Sequence, residues 1–241
     1  MKILVTGSAG HLGEGLVRHL GQKGFDPIGL DIKRTDFTHN VGSIADPEFV
    51  DSCMQGVDAV IHAATLHKPH VATHTRQAFV DTNISGALNL LEAAVRHKVR
   101  LFVYTSTTST FGDAMRPAKG DPAIWVTEAL RAKPKNIYGV TKTTAEDLCE
   151  LFSRNTDLAC MVLKTSRFFP EADDEKDQRD SFDDTNLKIN ELLFRRVDIA
   201  DIVTAHKLAL HRASEIGFDR FIISATTPFN RGDVADLGID A

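Results

Sequence analysis

The stretch NIYGVTK, residues 136–142, sets a phenol four positions ahead of an ammonium. On a helix, residues at i and i+4 stack on one face, so Tyr138 and Lys142 can address the same point. A free tyrosine titrates at about 10 and is a poor base at neutral pH. A positive charge beside it favours the phenolate and lowers that pKa, so the pair could move a proton to or from a hydroxyl or carbonyl oxygen. On a solvated helix the same two residues would be an ordinary polar face. The rest of the chain decides between these readings.

A second constellation lies at the start. TGSAGHLG, residues 6–13, follows an apolar run and opens an amphipathic one. Gly7 permits a tight turn, Gly10 lets the backbone approach a pyrophosphate, and Gly13 allows close helix–strand packing. His11 and Leu12 lie between the last two glycines, where the helix N-terminus presents N–H groups to an anion. An acid ends the next apolar run: Asp31, 18 residues past Gly13. That is close to the spacing at which a carboxylate meets the adenosine ribose of a dinucleotide. A carboxylate accepts from ribose hydroxyls and repels a 2′-phosphate, so NAD is favoured over NADP. Lys33 and Arg34 are the residues that could neutralise such a phosphate.

Short apolar runs alternate with amphipathic stretches and can position both constellations. Strands are expected at 2–6, 27–31, 37–41, 58–64, 100–106, 158–164 and 220–225, and helices at 12–23, 46–55, 74–97, 138–154 and 201–213. This alternation predicts an α/β fold, a doubly wound parallel (Rossmann) sheet with helices on both faces. Segments 112–136 and 171–184 break the rhythm; the second, EADDEKDQRDSFDD, reads as a solvated acidic loop.

The 241 residues are 42% hydrophobic and 25% charged, enough for one sizeable core. The net charge of −5, with no basic run, gives no footprint for nucleic acid. No apolar run approaches a membrane span. Cys53, Cys149 and Cys160 lack metal or redox spacing and fit a reducing, cytoplasmic setting. His62, His67, His70 and His74 crowd one region, but their spacings match no zinc motif, so no metal is expected.

Taken together, TGSAGHLG, Asp58 in VDAVIHAA, Asn83 in NISGALNLLEAA, YTSTTSTFG and YGVTK resemble an extended short-chain dehydrogenase/reductase, more narrowly the NAD-dependent epimerase/dehydratase family. The resemblance covers residues 1–165 closely and 195–225 loosely. It implies a catalytic set of Thr107, Tyr138 and Lys142, with Ser106 the alternative to Thr107. Lys142 would also bind the nicotinamide ribose. Ala63, Ala64 and Thr65 would lie along the cofactor, and Asn83 would support it from the helix below, mainly as architecture. A homodimer through the helices near 83–97 and 138–154 is implied as well.

The chain departs from that pattern in three places. The family's dehydratases follow the threonine with two acids; here Thr108 and Ser109 stand there, which disfavours sugar 4,6-dehydration. Arg167 occupies the approximate position of a substrate asparagine, and its guanidinium suits a carboxylate or phosphate. The sequence ends soon after its last strand, so the substrate lobe is expected to be reduced or cut short. The expected division is a Rossmann domain at 1–164 and 195–225, and a partial substrate lobe at 165–194 and 226–241. Substrate contacts are expected at His67, Ser106, Thr108 and Arg167. The expected activity is reversible oxidation of a secondary alcohol on a small, sugar-like and anionic substrate, by epimerisation or net dehydrogenation. The alternatives are reduction of a non-sugar carbonyl compound and NAD sensing without catalysis.

Overall fold

Seven strands form one all-parallel sheet in a computed structural model that describes residues 1–168 and 196–240. The strands are β1 (Lys2–Thr6), β2 (Asp26–Asp31), β3 (Asn40–Val41), β4 (Ala59–His62), β5 (Leu101–Thr107), β6 (Ala159–Thr165) and β7 (Phe218–Ile223). Their spatial order is β3-β2-β1-β4-β5-β6-β7. The order reverses between β1 and β4, and the crevice beyond the carboxyl ends of those strands is where such sheets bind ligands.

Both faces of the sheet are covered, which explains why its strands read as nearly continuous apolar runs. On one face Leu4, Val60, Phe102 and Val162 pack against Val50 of α2 (Pro47–Cys53), Leu90 and Leu91 of α4 (Gly86–Arg96), and Ala145 and Cys149 of α5 (Ile137–Asn155). On the other, Ile3, Val5, Ile61, Val103 and Leu163 meet Leu12, Leu16 and Leu20 of α1 (His11–Gln22) and Ile202 and Leu210 of α6 (Ile199–Ile216). Alternate residues of β1 and β5 thus serve opposite layers.

Several elements differ from their sequence expectation. The third strand is two residues long, and in the turn before it the Thr35 and Thr38 hydroxyls share a hydrogen bond of 3.0 Å. The helix expected over 74–97 is divided. Thr75 caps α3 (Arg76–Phe79), a π-turn spans Val80–Ser85, and α4 follows. HKPH forms a short 3₁₀ turn, Lys68–Ala72, tied at its start by reciprocal side-chain and backbone bonds between His67 and His70. The acidic segment 171–184 lies outside the described residues. A last helix, α7 (Val234–Asp240), is joined to the irregular stretch before α5 where Ala123 N–H donates to the Val234 carbonyl at 2.7 Å.

Candidate active site

A cleft of about 950 Å³ opens along the carboxyl ends of β1, β4, β5 and β6. Every residue singled out in the sequence for chemistry or cofactor contact lines it, except Asn83.

The glycine loop forms one wall. Gly7 takes a φ of 77°, and a Cβ there would fall 2.7 Å from the Ala64 nitrogen. A Cβ on Gly13 would stand 2.0 Å from the Gly7 carbonyl oxygen, so α1 begins hard against the turn. No side chain caps α1, whose N-cap is Gly10, and a helix start of this kind suits an anion. Asp31 closes the far end. Its carboxylate accepts from the Ala9 N–H at 3.1 Å and the Lys33 N–H at 2.9 Å, fixed beside the loop with acceptor capacity to spare. The cradle fits a dinucleotide: small residues, uncapped amides and a terminal carboxylate occur in the needed order.

Asn83, expected to support the cofactor mainly as architecture, does not line the cleft. It sits in the π-turn, 1% exposed. Its Oδ1 accepts from Thr65 Oγ1 at 3.0 Å and Leu66 N–H at 2.8 Å; its Nδ2 donates to the Leu66 carbonyl at 2.9 Å and Thr141 Oγ1 at 3.0 Å. All four bonds are internal, so Asn83 ties the loop after β4 to α5.

The other wall is built from β5 and α5. Asn136 caps α5 by accepting from Gly139 N–H at 3.1 Å, which starts the helix one residue before Tyr138. Tyr138 and Lys142 then share the buried face of the first turns. The electrostatics of the pair are set first by burial. Burial pushes the Tyr138 phenol up to about 12, opposed by its hydrogen bond with Thr107. Burial likewise brings Lys142 down to about 7, opposed by Glu146 and Cys149. The ammonium donates to the Thr105 carbonyl at 2.6 Å and lies 4.1 Å from the Tyr104 ring centre. Loss of solvation therefore outweighs the neighbouring charge.

The end of β5 is held from both layers. Thr105 Oγ1 and His206 Nε2 of α6 are 2.8 Å apart, and His206 Nδ1 bonds the Ile202 carbonyl at 2.8 Å. Ser106 Oγ donates to Glu146 of α5. Thr107, Thr108 and Ser109 follow along the cleft, and Arg167 and Phe168 line it from the end of the neighbouring strand β6. Phe168 stacks on His11, ring centres 6.5 Å apart. His67, His70 and His74 form a row of rings with centres 4.5 and 4.9 Å apart, and burial lowers the His70 pKa. Among the described residues, no group of three His, Cys, Asp or Glu could hold a metal ion.

Residues 3–220 match the model of the NAD dependent epimerase/dehydratase family. The chain belongs to that family. An uncharacterized UDP-glucose epimerase of Bacillus subtilis is 32% identical over 190 residues, 70% of this chain and 56% of its own length. A UDP-glucose 4-epimerase of Schizosaccharomyces pombe is 28% identical over 165 residues, 61% of this chain and 46% of its own. The chain thus spans about half the length of the curated relatives it matches. Among solved structures, a short-chain dehydrogenase/reductase superfamily protein from Agrobacterium tumefaciens, with bound NAD, superposes with a TM-score of 0.77 at 25% identity. That superposition covers 98% of this chain and 81% of the other.

Sequence reasoning missed Glu146, Lys164 and His206, which surround the site from behind. Glu146 was reachable, since it repeats the i+4 step from Lys142 on the same helix face. His206 gave no local signal; only the fold brings α6 beneath Thr105.

Proposed function

We propose that this chain is an NAD-dependent oxidoreductase or epimerase acting on a secondary alcohol of a sugar or sugar nucleotide. The supporting observation is the convergence of the Tyr138 phenol, the Thr107 hydroxyl and the Lys142 ammonium on a cleft that begins at the glycine loop. NAD, when bound, supplies the hydride acceptor and a positive ring charge beside the phenol. Thr107 orients the substrate oxygen, and Tyr138 takes its proton or returns one to the carbonyl. The proton is taken by the phenolate, the form that Lys142 and the ring charge of bound NAD would favour, and it is returned by the phenol. Lys142 fixes the end of β5 and binds the nicotinamide ribose. Asp31 binds the adenosine ribose. The absence of carboxylates at Thr108 and Ser109 favours epimerisation or dehydrogenation over loss of water.

Arg167, two residues past the end of β6 and lining the same cleft as Thr108, suits a carboxylate or phosphate on the substrate. His67 and Thr108 complete this end. Residues 165–194 and 226–241 form the substrate lobe in this reading. The protein works as a cytoplasmic homodimer through α4 and α5, where Leu88, Val140 and Leu151 are exposed and apolar.

The test is to mix the protein with NAD and a panel of UDP-hexoses and free uronates. Product is followed by chromatography and NADH by absorbance. A C4 epimer without net NADH marks an epimerase, and NADH accumulating with substrate marks a dehydrogenase. Tight NAD binding with no turnover on any of these would replace the enzyme reading with NAD sensing.

A further inference from the structure

Behind the cleft lies a buried charge cluster that the proposed chemistry does not itself use. Glu146 stands one helical turn beyond Lys142 on α5. Its carboxylate accepts from Ser106 Oγ on β5 and pairs with Lys164 Nζ on β6 at 2.5 Å. Arg220 Nε of β7 is 3.6 Å away, and its Nη2 pairs with both Asp147 at 3.1 Å and Glu150 at 2.8 Å. Ser106, Lys142, Glu146 and Lys164 are each at most 3% exposed. Lys164 and Arg220 thus pair with three carboxylates on the α5 stretch that follows Lys142.

Charged groups so deep persist only when compensated. Lys142 makes a bond to a neutral carbonyl and a ring contact, neither of which cancels its charge. The other groups around it are the phenols of Tyr138 and Tyr104, the Cys149 thiol, the His62 imidazole on β4, and the cations Lys164 and Arg220 beyond Glu146. Glu146 is the nearby carboxylate that acts on it. Through Ser106 the same carboxylate also holds β5 at the residue between Thr105, which receives the ammonium, and Thr107, which meets the phenol.

We infer that Glu146 is a positioning residue for Lys142, a buried counter-charge that keeps the ammonium in place and locks the end of β5 against it. This rests on the reading of Lys142 as a participant in the chemistry. At neutral pH Lys142 is near its midpoint of about 7, so small changes in its surroundings alter how often it is charged. Glu146 favours the charged form.

The inference is tested by following the Lys142 side-chain carbon signals against pH in lysine-labelled protein, with Lys142→Met used to assign them. Glu146→Gln alone strands Lys164, so the informative variant is the double one, E146Q/K164M, which removes the ion pair as a unit. The double variant is expected to fold, and its Lys142 should titrate at least one pH unit lower than in the parent. Glu146→Asp should restore part of that shift. An unchanged Lys142 titration in a folded double variant overturns the inference. Turnover is measured separately. Parental rates in Lys142→Met would remove the reading beneath it, while an inactive Lys142→Met with an unmoved titration in E146Q/K164M would sink only the role of Glu146.

Discussion

Lys142 donates its ammonium to the main-chain carbonyl of Thr105 at 2.6 Å, so the helix that bears Tyr138 is pinned to the strand that leads to Thr107. Tyr138, Lys142 and Thr107 are held by two elements, not by a loop. Removing either hydroxyl or ammonium should damage chemistry far more than folding.

Tyr138→Phe deletes one oxygen from a buried ring and is expected to cut turnover about 10²-fold or more, the range of a lost acid–base group. NAD affinity and the melting curve should stay close to the parent. Lys142→Met should lose a comparable factor while melting at or above the parent temperature, because a buried charge gives way to an apolar chain of similar length. Stopped-flow hydride transfer and circular dichroism check both. Parental rates in Tyr138→Phe would refute the acid–base assignment.

Asp31 accepts two backbone N–H groups and keeps capacity for ribose hydroxyls. Asp31→Ala should raise the dissociation constant for NAD about tenfold or more, matching a lost charge-assisted hydrogen bond of about 1.5–3 kcal/mol. NADP binding should be unchanged or tighter, since a repelling carboxylate has gone. Titration with each cofactor by fluorescence decides. Equal weakening of both would mean that Asp31 only braces the loop.

The glycine loop and the Tyr138/Lys142 step were legible because each signal is local: a turn between strand and helix, and a single helical period. What escaped was set by tertiary placement. The π-turn at Val80–Ser85 has no propensity signature, yet it places the Asn83 amide between two elements. The Glu146–Lys164 pair joins residues on different elements, and only the packing of α5 across β6 brings them together. The burial around Tyr138 was not legible for a related reason. Spacing reports which charge is near, whereas burial, which here dominates, is a property of the assembled fold. The third strand shows the same limit at small scale, since only Asn40 and Val41 find partners on β2.

Two glycines of α1 should respond in opposite directions. A Cβ on Gly13 would stand 2.0 Å from the Gly7 carbonyl oxygen, so Gly13→Ala must push the helix from the turn. A loss of about 1–3 kcal/mol is expected from such overpacking, with weaker NAD binding. At Gly15 the nearest atom would be Val203 Cγ2 at 3.5 Å, an ordinary contact. Gly15→Ala should stabilise by about 0.5–1 kcal/mol through helix propensity. Urea unfolding of the two variants is the measurement, and two changes of the same sign would contradict the geometry.

His206 gives the fold a pH dependence whose sign follows from burial. The imidazole is held down to about 4, although its bond to the Ile202 carbonyl opposes this. An unfolded chain protonates the same histidine at about 6.5. As pH falls below that value the unfolded state takes up a proton that the folded state refuses, so stability is full above about 6.5 and drains away towards about 4. Between pH 6.5 and 5 the loss from this residue is about 2 kcal/mol, at about 1.4 kcal/mol per pH unit. His62, held down to about 3 by burial and by Lys142, adds a loss of the same sign. Urea unfolding at pH 7 and pH 5 should therefore show a smaller difference in His206→Gln than in the parent, by about 2 kcal/mol. Equal differences in the two proteins would mean that His206 is already charged inside the fold, and that its contact with Thr105 forms in another protonation state.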